Sequence, residues 1–219
     1  MTSCSGMGVE AARLAIDDPD AIRRAVGLLR GGGLVAFPTD TVYGIGAHAF
    51  VEEAVARLFQ VKKRPLDWPI PLLLPDTTAV ESVCVDIPTV AWRLAERFWP
   101  GGLSLVLTRS QVVPDAVTAG GSTVAVRVPD HPLLRELCRQ LGAPLAATSA
   151  NLHGQPPPIT ADEVESGFGR CVPLILDGGA CPGGVASTVL DLTVRPHAIL
   201  RLGPVSAAQL TSIVAVTSD

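Results

Sequence analysis

Gly31-Gly32-Gly33-Leu34-Val35-Ala36-Phe37-Pro38-Thr39-Asp40-Thr41 holds the end of a helix, a strand and a turn in one short stretch. The glycines stop a helix, the apolar run 34–37 makes a buried strand, and 38–41 leaves that strand as a polar turn. Upstream, Asp18 is placed to cap the stopped helix, with Pro19 at its first position and Ile22, Val26 and Leu29 on one apolar face. Downstream, Ala54, Val55, Leu58 and Phe59 define the inward face of a second helix over 52–61. The same alternation predicts helices at 89–98, 132–141 and 161–166. Strands are expected at 103–108, 123–128, 144–148, 174–176, 187–192 and 199–202. No composition break or internal repeat interrupts it. One α/β domain over 1–219 is expected, its core at about 20–206, with a mixed sheet.

A chain of 219 residues with 47% hydrophobic and 17% charged residues can bury a sizeable core, which excludes disorder as its main state. The net charge of -4 and pI near 5.5 exclude a surface that is wholly a nucleic-acid footprint, so an anionic ligand must meet a focused pocket. Cys4, Cys84, Cys138, Cys171 and Cys181 contain no CxxC pair and leave one over from full pairing, which fits core thiols in a reducing compartment. Residues 1–8 lack a basic segment followed by an apolar one, and no run approaches the ~18 apolar residues of a membrane span. A cytoplasmic protein is expected.

All the lysine lies in Lys62-Lys63-Arg64-Pro65, although 17 residues are basic. An ammonium beside a guanidinium suits phosphate. A cation at a helix C-terminus is also favoured by the dipole with no ligand present. No GxxxxGK[ST] cradle exists, and Gly44-Ile45-Gly46-Ala47-His48-Ala49 is a poor dinucleotide fingerprint, because six residues separate it from the preceding strand. His48, His131, His153 and His197 show no zinc spacing and read as isolated surface residues. Thr148-Ser149-Ala150-Asn151 follows a buried strand, where ligands gather in α/β sheets, though such residues also form turns for local reasons.

Taken in order, Phe37-Pro38-Thr39-Asp40-Thr41-Val42-Tyr43-Gly44, Lys62-x-Arg64-Pro65, Phe98-Trp99-Pro100-Gly101, Val126-Arg127-Val128-Pro129, Ser149-Ala150-Asn151, Ser187-Thr188-Val189 and Leu200-Arg201 resemble the YrdC-like threonylcarbamoyl-AMP synthases. The resemblance implies a twisted mixed sheet with flanking helices and an open concave cleft. It implies condensation of L-threonine, bicarbonate or CO2, and ATP to L-threonylcarbamoyl-AMP and pyrophosphate, for threonylcarbamoyladenosine modification of tRNA. Lys62 and Arg64 would be catalytic, neutralising phosphates. Arg64, Thr123, Ser149, Asn151 and Arg201 would bind ATP, with Mg2+ carried on its phosphates and no metal ligand assigned to the protein. Arg127 would pair with the threonine carboxylate, while Thr41, Ser187 and the backbone at Ala147 would read its hydroxyl and amine. Two anions must meet in this reaction, so cations are needed.

Three positions depart from the family pattern: Trp68 for an asparagine, Leu73 for a histidine and Pro157 for a serine. Trp68 could stack on adenine. Two other readings stand beside the synthase: a YrdC-like domain making carbamoyl-adenylate from carbamoyl phosphate, and a non-catalytic RNA-binding module. Longer family members carry a C-terminal domain whose linker covers the site. Here a partner would close it, such as the enzyme transferring the product to tRNA.

Overall fold

The structure, a computed structural model, describes residues 11–63, 65, 67–152 and 154–218. The first half runs β1 (Ala12–Ala15), α1 (Ala21–Arg30), β2 (Val35–Phe37), β3 (Gly44–His48), α2 (Glu52–Lys62), β4 (Leu72–Leu73), α3 (Val80–Val83), α4 (Thr89–Phe98) and β5 (Leu103–Thr108). It continues through α5 (Asp115–Thr118), β6 (Thr123–Arg127), α6 (Pro132–Leu141), β7 (Leu145–Ser149), α7 (Ala161–Phe168), β8 (Leu174–Asp177), β9 (Thr188–Asp191), β10 (His197–Arg201), α8 (Ala207–Thr211) and β11 (Val216–Ser218). Among the described residues the strands form one sheet in the order β1-β8-β2-β3-β7-β4-β6-β5-β9-β10-β11. Parallel and antiparallel neighbours both occur, as β2 with β8 and β2 with β3 show. The expected mixed α/β architecture is thus the observed one.

Helices α1 and α6 cover one face of the sheet over Val35, Phe37, Leu145, Leu174 and Leu176. A larger core fills the other face, where residues of α2, α4 and α7 meet Ala36, Ile45, Leu72, Leu105, Val126 and Ala146. Side chains alternate along a strand, so Thr123, Ala125 and Arg127 of β6 share the first face. Register places Leu73 beside Arg127 and Gly44 beside Ser149 on that face too. Arg127 is buried, but Thr123 and Ala125 are only half-buried. Gly44, Leu73, Arg127 and Ser149 on this face form the floor of the site.

Helices α4 and α6 and strand β5 fall where the periodicity puts them. Strand β3 was not among the expected strands, and glycines are uncommon inside one. They are glycine for a packing reason: a Cβ at Gly44 would stand 2.9 Å from the Phe37 ring, and one at Gly46 would stand 2.8 Å from it. Helix α1 starts at Ala21 with Asp20 as N-cap. Asp18 instead accepts the backbone N–H of Asp20, holding a turn before the helix. His197 is buried rather than superficial, and His153 lies outside the described residues. Cys84, Cys138 and Cys181 are free and buried, whereas Cys171 is disulfide-bonded, which corrects the reading of all the cysteines as thiols. No helix among the described residues is long and apolar enough to cross a membrane.

The Phe37 ring is fully buried and cannot retreat. Gly46→Ala is therefore expected to lose about 1–3 kcal/mol of stability by overpacking, read by guanidinium unfolding. Adding Phe37→Leu should make the double variant lose less than the sum of the two singles.

Candidate active site

The segment after β2 does not run off the sheet but folds over it. Thr39 Oγ1 accepts the backbone N–H groups of Thr41 and Val42 at 2.9 and 3.1 Å, closing a tight turn. Gly184 donates its N–H to the Thr41 carbonyl, and a Cβ at Gly183 would come within 2.7 Å of the Asp40 carbonyl oxygen. Tyr43 anchors the far end of the turn. Its hydroxyl donates to Gly179 O at 2.9 Å and accepts from Gly178 N–H at 3.1 Å. A turn pinned from two sides gives the site a fixed wall.

Beneath it lies a cavity of about 150 Å³ lined by Phe37, Thr39, Thr41, Leu73, Ser104, Arg127, Ala147, Ser149, Ser187 and Arg201, among others. Drug-sized pockets run to roughly 300–1,000 Å³, so this one suits a ligand of amino-acid size. Arg127 is 5% exposed. Its Nε donates to Gly101 O at 2.8 Å, Nη1 to Thr41 Oγ1 at 3.1 Å and Nη2 to Asp40 Oδ1 at 2.6 Å. Arg201 donates from Nε to Ser187 O at 2.9 Å and from Nη2 to Ser187 Oγ at 3.1 Å. The Ser187 hydroxyl also lies 3.0 Å from that of Ser104. Burial, and after it the charge of Arg127, hold the Arg201 guanidinium below its ordinary value. Two mutually repelling guanidiniums with one carboxylate make a cavity that favours an anion.

Lys62 ends α2 and is 4% exposed. Its ammonium donates to the carbonyl oxygens of Ser149, at 2.5 Å, and Asn151, so the helix end is tied to the end of β7. The Ser149 hydroxyl donates to Asn151 Oδ1 at 2.5 Å. Beyond Asn151 a second hollow of about 370 Å³ is lined by Asn151, Gln155, Pro157, Glu163 and Phe168, among others. Lys63 is exposed and takes a left-handed backbone, φ 49°, as the cap of α2, the position where a helix ordinarily turns out of its axis.

Of the residues expected in the site, Thr41, Arg127, Ala147, Ser149, Ser187 and Arg201 line the one cavity. Lys62 and Asn151 join it through Ser149. Thr123 does not line it: four residues before Arg127 on the same face of β6, it lies ~13 Å along the strand. Arg64 lies outside the described residues. Trp68 is 44% exposed, Leu73 is in the cavity wall and Pro157 in the second hollow. Asp40, Ser104 and the anchoring hydroxyl of Tyr43 were given no role from sequence. The signal for Ser104 was a hydroxyl flanked by leucines in the strand Leu103–Thr108.

A pinned turn, the buried guanidinium of Arg127 and clustered hydroxyls meet over a partly uncovered α/β sheet. The family model for Sua5, YciO and YrdC proteins, described as telomere recombination, matches residues 27–203, and the chain belongs to this family. Threonylcarbamoyl-AMP synthase of Pyrococcus abyssi is 45% identical over 193 residues, which are 88% of this chain and 57% of that protein. The protein of the same name from Coxiella burnetii is 35% identical over 85% of this chain and 99% of its own length. The crystal structure of P. abyssi Sua5 complexed with L-threonine superposes with a TM-score of 0.87 at 42% identity, over 95% of this chain and 62% of that one. The chain therefore spans less than two thirds of the P. abyssi relative.

Tyr43 is the only tyrosine in the chain, so its titration can be seen directly. Burial, first among its causes, pushes the phenol up from 10.0 to about 12. An absorbance titration near 295 nm should give a midpoint near that value in the folded protein and near 10 after unfolding. The raised pKa adds stability that is fully present below the unfolded value and is lost as pH climbs through the folded one. Between about pH 10 and 12 the parent should thus lose more stability than Tyr43→Phe. Below pH 9 that variant should be weaker than the parent by about 1–3 kcal/mol, because the Gly178 N–H and Gly179 C=O lose their partner.

Proposed function

We propose that the chain is an L-threonylcarbamoyladenylate synthase, a nucleotidyltransferase that joins L-threonine, CO2 or bicarbonate, and ATP. The observation that carries this reading is the convergence of Arg127, Arg201, Thr41 and Ser187 on one amino-acid-sized cavity, whose wall at Ser149 is tied to Lys62. Family membership and a relative crystallised with L-threonine support it.

In this reading the threonine carboxylate takes the N–H groups that Arg127 has left. Thr41 and Ser187 read its hydroxyl, and the Ala147 backbone faces its amine. The amine adds CO2 and gives up a proton. One oxygen of the resulting carbamate then attacks the α-phosphorus of ATP, the bond to the β-phosphate oxygen breaks, and pyrophosphate departs. Lys62, Arg64 and Arg201 neutralise the charge as the two anions close, while Thr123, Ser149 and Asn151 hold nucleotide oxygens. Among the described residues no three His, Cys, Asp or Glu side chains converge. Mg2+ would arrive on the nucleotide phosphates, keeping water ligands as this ion commonly does, and offset their charge. The labile product would pass in the cytoplasm to a transferring enzyme acting on tRNA.

Pyrophosphate release from ATP tests the reading. Release should require threonine and bicarbonate together, and Arg64→Ala should abolish it with the melting temperature unchanged. Because buried hydroxyls read the substrate hydroxyl, valine should show at least ~100-fold lower kcat/KM than threonine. Equal turnover of valine would refute the assignment. Release on carbamoyl phosphate instead would indicate carbamoyl-adenylate chemistry, and no release at all a binding module.

A further inference from the structure

Arginine has five N–H donors, and in Arg127 the bonds to Gly101 O, Thr41 Oγ1 and Asp40 Oδ1 take three of them. One N–H remains on each terminal nitrogen, the pair that a carboxylate accepts together. Of the three partners only Asp40 is charged, and at 2.6 Å its contact is the shortest. Both side chains are largely withdrawn from water, at 6% and 15% exposure, so little solvent screens them. Asp40 also sits on fixed backbone. The Thr39 hydroxyl binds the two N–H groups that follow it, and Gly183 packs against its carbonyl. Across the cavity Arg201 carries a like charge and, among the described residues, is held by Ser187.

We propose that Asp40 is the positioning residue of this site: by holding Nη2 of Arg127 against the repulsion of Arg201, it aims the remaining guanidinium N–H pair at the substrate carboxylate and sets the affinity for threonine. The inference rests on the threonine-dependent reading above. Asp40 itself touches no substrate; it acts through Arg127. Loss of its charge leaves Arg127 with neutral acceptors only and no anion to oppose the second guanidinium.

Steady-state pyrophosphate release and thermal melting of Asp40→Asn test it, with both substrates varied. The expected result is a rise of about 10-fold or more in KM for threonine, with KM for ATP and kcat within about 3-fold of the parent. In an Arg127→Ala background the same substitution should change KM for threonine by less than 2-fold, because the group it acts through is gone. Asp40→Glu, which restores the charge one methylene further out, should fall between the parent and Asp40→Asn, and it serves as the readout should Asp40→Asn melt too low to assay. An unchanged or lowered KM for threonine in a folded Asp40→Asn, an undiminished effect in the Arg127→Ala background, or a KM for Asp40→Glu equal to the parent's would each overturn the proposal. Failure of the underlying reading shows separately, as a parent protein that releases no pyrophosphate with threonine, and the proposal falls with it.

Discussion

A guanidinium can be taken out of water only where oxygen atoms replace the water it leaves. Arg127 meets that condition with acceptors from two places distant in the chain: Gly101, just past α4, and the pinned turn carrying Asp40 and Thr41. The arginine itself ends β6, beside Leu73 of β4. A single buried cation thus ties the turn, the end of a helix and two adjacent strands together. The wall, the floor and the charge of the cavity share it. Its burial also explains why the turn must be held so firmly, since a mobile Asp40 would leave a charge uncompensated in a poorly hydrated place.

Sequence patterning reached the layers of this fold because they follow local rules. The helices over Thr89–Phe98 and Pro132–Leu141 show a clear apolar stripe, and the second ends on Gly142 in a left-handed cap. Strand β3 escaped, since its two glycines answer to the Phe37 ring, which lies on the neighbouring strand and is invisible to a local pattern. Strand β1 was missed for a related reason: it is short, and among the described residues it pairs only with β8, from far along the chain.

The site was legible in a different way. Resemblance supplied most of the residues that line the cavity, but not how they are partnered. Arg127 and Asp40 are 87 positions apart, and no spacing rule links them. Tyr43 is the opposite case: it stood in a quoted motif, yet its hydroxyl is spent on the backbone at Gly178 and Gly179. The two lysines that looked equivalent in sequence also separate. One is buried on carbonyl oxygens, while the other is exposed and turns the chain at the end of a helix.

That buried lysine has a thermodynamic consequence. Its ammonium has three protons to give, and in this structure they face the carbonyls of Ser149 and Asn151 and, at 3.3 Å, Asn151 Oδ1. A phosphate drawing on Lys62 must displace at least one of these oxygens, so the encounter is an exchange rather than an addition. Under the synthase reading the net affinity would be the small difference between two strong contacts, and the loop after β7 would loosen in the same step that seated a phosphate. Phosphate capture and loop release would then be linked equilibria, and a stronger tether at Asn151 would weaken the grip on phosphate by the same amount.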